Sequence, residues 1–212
     1  MIISKKGRCI KIKNKIIAYG GAFNPPLNSH FSIAEQVLNQ FEEVKKIIFI
    51  PVNNNYEKSE LIDAKHRFNM IKLVVEKNEK FEVSNMDMNE KRSLYTIETL
   101  ENMQEKYPND EICFLCGSDN LKEINTWKFG EKLISKYKII VAERDTDLID
   151  DIINNDVLLN CYNDNIIKLQ GNIKFNFDST YVRTQLKKGK SVRYLLPDEV
   201  FYYIKDNKLY IN

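Results

Sequence analysis

A glycine pair followed by a stiff polar turn and a histidine carries the densest chemistry in this chain: Gly20-Gly21-Ala22-Phe23-Asn24-Pro25-Pro26-Leu27-Asn28-Ser29-His30. Glycines let backbone come close to a ligand, prolines stiffen the turn, and the helix that begins here offers unpaired N–H groups to an anion. His30 falls in the first helical turn, facing whatever the loop holds; a tight strand-to-helix connection with a capping histidine accounts for the same residues. A second helix start, Asp178-Ser179-Thr180-Tyr181-Val182-Arg183, opens on hydroxyls and backbone amides, with a guanidinium one turn in. Asp178 or Ser179 can cap it. The Ser-Thr pair with Arg183 on the same side also makes a fork for phosphate oxygens. Two helix starts of this kind in one small domain point to a nucleotide. A third segment, Gly117-Ser118-Asp119-Asn120, precedes Trp127, the only tryptophan, which suits either a core position or a stacking platform.

These segments need a scaffold that brings them together, and the periodicity supplies one. Strand-like runs alternate with helix-period segments: KIIAYG, HFSIAEQVLNQF, KKIIFIP, AKHRFNMIKLVVEK and KFEVSN, then YTIETLENMQEKY, EICFLCG, FGEKLISKY and YKIIVAE. In the first helix Phe31, Ala34, Val37, Leu38 and Phe41 share one face. Strands apolar on both faces predict an α/β fold, a doubly wound parallel sheet with helices on both faces. Weak strands at IIKLQ and IKFNF, a helix from about Ser179 and a closing helix at PDEVFYYIKDN add a small C-terminal helical portion. Residues 1–212 read as a single domain, with 1–14 an extra N-terminal strand or hairpin at the sheet edge, Gly7 near its turn. Ligands of open parallel sheets bind at the carboxyl ends of the strands where chain order reverses, and the three segments above all follow strands or open helices there.

Composition narrows the function further. Of 212 residues, 43% are hydrophobic and 29% charged, which fits a globular chain and excludes disorder as the main state. Thirty-two basic against 30 acidic side chains leave a net charge of +2, so neither nucleic acid nor a membrane surface is the expected partner, and any basic site must be local. No three of the seven glycines fit G-x-G-x-x-G, and none fits G-x-x-x-x-G-K-[ST]. The lysine-interrupted N-terminus is not a signal-peptide core, which predicts a cytoplasmic protein with reduced thiols. Cys113 and Cys116 form C-x-x-C inside an apparent buried strand, where their side chains would diverge to opposite faces, against a zinc or redox role. The acidic, Asn-rich stretch after Glu143 reads as a solvated helix and loop.

Taken together, the motifs resemble those of the bacterial nicotinate mononucleotide adenylyltransferases, in the nucleotidylyltransferase superfamily with its Rossmann-like fold. The likeness covers nearly everything from Lys15 to Tyr210: GGAFNPPLNSH at 20–30, the Pro51 loop with Lys58, Arg67 with Met70, YTIETL at 95–100, GSDN at 117–120 with Trp127, DSTYVR at 178–183, and the ending RYLLPDEVFYYIKDNKLY. The resemblance implies adenylyl transfer from ATP to nicotinate or nicotinamide mononucleotide, with Mg²⁺ accompanying ATP, no metal ligands from protein side chains, and room for a homo-oligomer. His30, Arg183 and Lys58 become the expected catalytic set. Gly20, Gly21, Ala22, Phe23, His30, Gly117, Asp119, Ser179, Thr180 and Arg183 would bind ATP. Lys58, Thr96, Trp127 and Arg144 would bind the mononucleotide, Trp127 by stacking on the pyridine.

The chain departs from the family pattern at the first motif. Leu27 replaces the first signature histidine, Ser29 a glycine, Asn24 the common aspartate and Ala22 a hydroxyl residue, while Asp178 replaces a serine in the last motif. Leu27 cannot donate to a phosphate, which leaves a non-catalytic nucleotide-binding homologue as one alternative. A nucleotidylyltransferase for another phosphorylated metabolite, lacking the pyridine site of Thr96 and Trp127, is the other.

Overall fold

The computed structural model describes residues 2–3, 9–10, 14–144, 147–171 and 173–211. Two short strands, β1 (Ile2–Ile3) and β2 (Cys9–Ile10), pair antiparallel as a ladder of their own. They are not added to the edge of the main sheet, and Gly7 lies outside the described residues. The main body then runs β3 (Lys15–Gly21), α1 (Asn28–Gln40), β4 (Val44–Pro51), α2 (Ala64–Val75), β5 (Phe81–Val83), α3 (Thr96–Lys106) and β6 (Glu111–Gly117). It continues through α4 (Ser118–Glu123), α5 (Gly130–Lys136), β7 (Lys138–Ala142), α6 (Ile149–Asn154), α7 (Val157–Cys161), β8 (Ile166–Lys168), α8 (Ser179–Lys187) and α9 (Asp198–Asp206).

Six strands form an all-parallel sheet in the order β5-β4-β3-β6-β7-β8. The chain winds outward from β3 to β5, returns through α3, and winds the other way from β6. The reversal therefore falls between β3 and β6, whose carboxyl ends are Gly20-Gly21 and Gly117.

Strand alternation divides the core into two layers. Ile17, Phe49, Cys113 and Leu115 face α1 and α2, packing on Ala34, Val37 and Ile71. Ile16, Ile48, Phe114 and Cys116 face the other way, onto Leu100, Met103 and Leu133 of α3 and α5. Cys113 and Cys116 thus sit in different layers, as alternation predicts. The acidic stretch after Glu143 forms α6 and α7, whose Ile149, Ile153 and Leu159 are buried against the second layer. A third cluster joins Leu27 to Met70, Val182, Leu196, Val200 and Ile204, tying the first loop to α2, α8 and α9.

One expected strand does not form. IKFNF at 173–177 stays outside the sheet. Beyond β8, the Gln170 N–H donates to Gln40 Oε1 at 2.8 Å and the Ile173 N–H to Gln36 Oε1 at 2.9 Å. Side chains of α1 thereby take main-chain donors that a further ladder would use, and the segment peels toward the cavity described next.

Candidate active site

A cavity of about 580 Å³ opens where β3 and β6 end. Gly20, Gly21, Ala22, Phe23 and His30 line it on one side, with Ser179 and Thr180 beside them, so both candidate helix starts meet at one space. Lys58, Thr96, Gly117, Asp119, Trp127 and Arg144 line it as well. The two helix starts also touch directly: Ser179 Oγ donates to the Pro25 carbonyl at 2.9 Å.

His30 is held in one protonation form. Leu27 begins α1 with no side chain able to cap it, and its N–H donates instead to His30 Nδ1 at 2.9 Å. With Nδ1 accepting, the ring's proton sits on Nε2. Burial against Phe23 and Tyr19, together with the charges of Arg144 and Lys58, pushes the imidazole down to about 3. Near neutrality His30 is therefore an uncharged donor on the cavity wall, beside cations that supply charge separately.

The loop around it is fastened from behind. Arg67 on α2 is fully buried and donates to three carbonyls: Ile62 at 2.9 Å, Ala22 at 3.0 Å and Val52 at 2.7 Å. Because a trans peptide turns its N–H opposite to its C=O, fixing the Ala22 carbonyl on Arg67 turns the Phe23 N–H the other way. Phe23 itself holds a positive φ of 47°. Arg183 departs from the role expected of it. Its guanidinium is 4% exposed, is absent from the cavity wall, and donates from Nη1 to the Asn24 carbonyl at 3.0 Å, with Glu60 and Thr180 also in contact. A helix wheel places Arg183 on the face of Thr180 but does not say whether that face meets ligand or loop; here it meets loop. Asp178 caps α8, accepting from the Tyr181 N–H at 2.7 Å, so its charge is aimed into its own helix.

At the strand-end of β6, Asp119 and Arg144 bond to each other at 2.9 Å, though the sequence suggested separate ligands for them. Gly117 makes room for that pair: a Cβ there would lie 2.3 Å from Asp119 Oδ1 and 2.7 Å from Arg144 Cδ. Buried Ser118 accepts from the Arg144 N–H and donates to Asp147, bracing the same corner.

Part of the wall is aromatic. Trp127 meets Phe114 edge-on at 6.3 Å, and Tyr95 meets Phe129 at 5.6 Å. Lys128 Nζ lies 4.8 Å from the Tyr95 ring centre and 3.3 Å from its hydroxyl. The turn that presents Trp127 needs Gly130, since a Cβ there would stand 1.8 Å from the Ile124 carbonyl oxygen. Thr96 is the first residue of α3, whose start is fixed by Glu98 accepting from the Tyr95 N–H at 2.8 Å. Tyr95 and Lys128, each adjacent to a named residue, and Phe129, two positions from Trp127, are wall residues that the sequence reasoning missed. Phe175 and Phe177, also on the wall, were hidden by an alternation that read as strand.

Within the described residues, no group of three or more His, Cys, Asp or Glu side chains is disposed to hold a metal ion. No helix among them is long and apolar enough to cross a membrane.

Comparison with known proteins gives a consistent set. A cytidylyltransferase-like family model matches residues 18–185. A probable nicotinate-nucleotide adenylyltransferase of Clostridium tetani is 33% identical over 202 residues, covering 94% of this chain and all of that one. Its counterpart in Caldicellulosiruptor bescii is 34% identical over 197 residues, covering 92% and 98%. Among solved structures, the Plasmodium falciparum nicotinic acid mononucleotide adenylyltransferase complexed with NaAD superposes with a TM-score of 0.76 at 21% identity, covering 93% of this chain and 97% of that one. At that identity the superposition speaks to the fold.

Proposed function

The chain belongs to the cytidylyltransferase-like family, within it to the nicotinate-nucleotide adenylyltransferases, and from that premise we propose how its cavity joins ATP to nicotinate mononucleotide in NAD biosynthesis. ATP lies with its phosphates along Gly20–Phe23 and the start of α8, and the mononucleotide lies toward Thr96 and Trp127. A phosphate oxygen of the mononucleotide attacks the α-phosphorus of ATP, a new P–O bond forms, and the bond to the β-phosphate's bridging oxygen breaks, pyrophosphate leaving with the electron pair. The attacking oxygen is already anionic, so no protein nucleophile or strong base is needed and catalysis consists of positioning and charge stabilisation.

His30 donates its Nε2 proton as a hydrogen bond to an α-phosphate oxygen, while Lys58 and Arg144 supply positive charge on the mononucleotide side. Thr180 and Ser179 offer hydroxyls and helix-start amides to the outer phosphates. Arg183 acts behind the loop, holding the Asn24 carbonyl, and not on substrate. Trp127 stacks on the pyridine and Thr96 sits at its edge.

Mg²⁺, when bound, would neutralise the triphosphate and the departing pyrophosphate. The donor set fits an ion that arrives on phosphate oxygens and water: Asp119 bonds Arg144, Asp178 caps its own helix, and among the described residues no three His, Cys, Asp or Glu side chains are grouped to hold one.

The observation that carries this reading is the neutral, Nε2-protonated His30 on the wall where both helix starts meet. Pyrophosphate release with ATP and nicotinate mononucleotide tests it, with nicotinamide mononucleotide and unrelated phosphomonoesters as competitors. His30→Ala should lower kcat by about 10² to 10³ while the chain still folds, its unfolding midpoint lowered by loss of the bond to the Leu27 N–H; near-parental dinucleotide synthesis by that variant removes His30 from the reaction.

A further inference from the structure

We propose that Tyr210, which follows α9 and lies off the cavity wall, is a positioning residue for the phosphate loop, acting through its hydrogen bond to the Asn24 side chain. The inference rests on reading the cavity as an ATP site.

Asn24 is 1% exposed and every polar atom of its side chain is used. Its Nδ2 faces the Glu60 carbonyl at 2.8 Å, and a carbonyl only accepts, so the amide's orientation is fixed. Oδ1 then faces the opposite way, toward the Tyr210 hydroxyl at 2.8 Å and the Ile62 N–H at 3.4 Å. Since Oδ1 only accepts, the phenol donates. Burial pushes the Tyr210 hydroxyl well above its ordinary range, so it keeps that proton at any working pH. The same arrangement accounts for asparagine at 24: a carboxylate there would face the Glu60 carbonyl with no proton to share.

Residue 24 is thus held on its side chain by Tyr210, the Glu60 carbonyl and the Ile62 N–H, and on its carbonyl by Arg183. It stands directly after Phe23, whose carbonyl neighbour is fixed by Arg67, and three residues before Leu27, whose N–H sets the tautomer of His30. Tyr210 has a left-handed backbone at φ 61°, a conformation that a tyrosine keeps only where surrounding contacts compensate. Leu209 and Tyr210 pack on the third core cluster, which provides them.

The test uses the full chain, its Tyr210→Phe variant and a Tyr203→Phe variant. Tyr203 joins α9 to α2 through His66 at 3.0 Å and Asn69 at 3.2 Å without reaching the loop, so it reports on docking of this segment alone. ATP affinity is read by calorimetry with Mg²⁺-ATP, together with steady-state constants for both substrates and the thermal midpoint. Tyr210→Phe should bind ATP about tenfold more weakly, raise KM for ATP and leave KM for nicotinate mononucleotide unchanged, with the midpoint lowered no more than in Tyr203→Phe. Tyr203→Phe should lower the midpoint and leave ATP affinity unchanged. The inference is overturned alone if Tyr210→Phe binds ATP like the parent, or if both variants lose affinity in proportion to stability. A parent chain that binds no ATP overturns the cavity's reading and this inference with it.

Discussion

At the end of the cavity proposed for the phosphates, Asn24 is 1% exposed, Phe23 3%, and the loop carbonyls of Ala22, Asn24 and Pro25 each accept from a side chain of α2 or α8. At the end proposed for the pyridine, Phe129 is 47% exposed, Trp127 meets Phe114 and Tyr95 meets Phe129 through ring edges, and Lys128 lies over the Tyr95 and Phe129 rings. The first end is built from directional bonds with little freedom, the second from contacts that tolerate adjustment. The contrast suits the tasks proposed for them: a phosphorus centre demands fixed donors in line, whereas a flat ring is held by area and charge.

The strongest way to break this comparison is to release the phosphate end from behind. Arg67→Met fills similar space but leaves the Ile62, Ala22 and Val52 carbonyls without their donor, which should cost about 3 kcal/mol or more of folding stability and most of the activity. Chemical denaturation measures it; a variant within about 1 kcal/mol of the parent would show that the buried guanidinium is not what fastens the loop.

A smaller effect comes from His30 itself. Folded His30 stays neutral down to about 3, whereas in the unfolded chain a histidine takes its proton near 6.5. Between those values the unfolded state binds more protons, so stability falls as pH falls, by about 2 kcal/mol from this residue between pH 7 and pH 5, and is unaffected above. His30→Gln should flatten that part of the acid slope. Equal slopes for parent and variant over pH 5 to 7 would mean that the imidazole is not kept neutral by the fold.

The smallest change is expected at the adaptable end. Trp127→Ala should raise KM for the mononucleotide by about five- to tenfold, leaving KM for ATP and the fold nearly untouched, because one aromatic contact is worth about 1 kcal/mol and Trp127 is only partly buried. A matching rise in both KM values would place the indole nearer the shared centre than the contrast allows.

Much of this was legible in the residues. Apolar runs such as KIIAYG and EICFLCG mark strands buried on both faces, and GGAFNPPLNSH and DSTYVR mark helix starts, because local chemistry alone dictates those features. The order of strands was not legible, since any of several pairings buries the same residues. The failed strand at 173–177 has a definite cause: Gln36 and Gln40 of α1 take its neighbourhood's donors, an interaction between segments more than 120 positions apart that no local pattern encodes. Arg183 misled for a related reason. Charge and spacing fit a phosphate fork, but a guanidinium serves a carbonyl equally well, and only the packing of α8 on the first loop decides which it meets.

Leu27 bears on how this chain can change. Its side chain is 1% exposed and interlocks with Met70, Val182 and Leu196 in the cluster that also seats α9. An imidazole placed there would not be a simple exchange. A polar ring would have to enter an oily contact without a bonding mate, and the closing helix would loosen before any phosphate gained a donor. A polar ring at this site is therefore accommodated only alongside changes among its apolar neighbours.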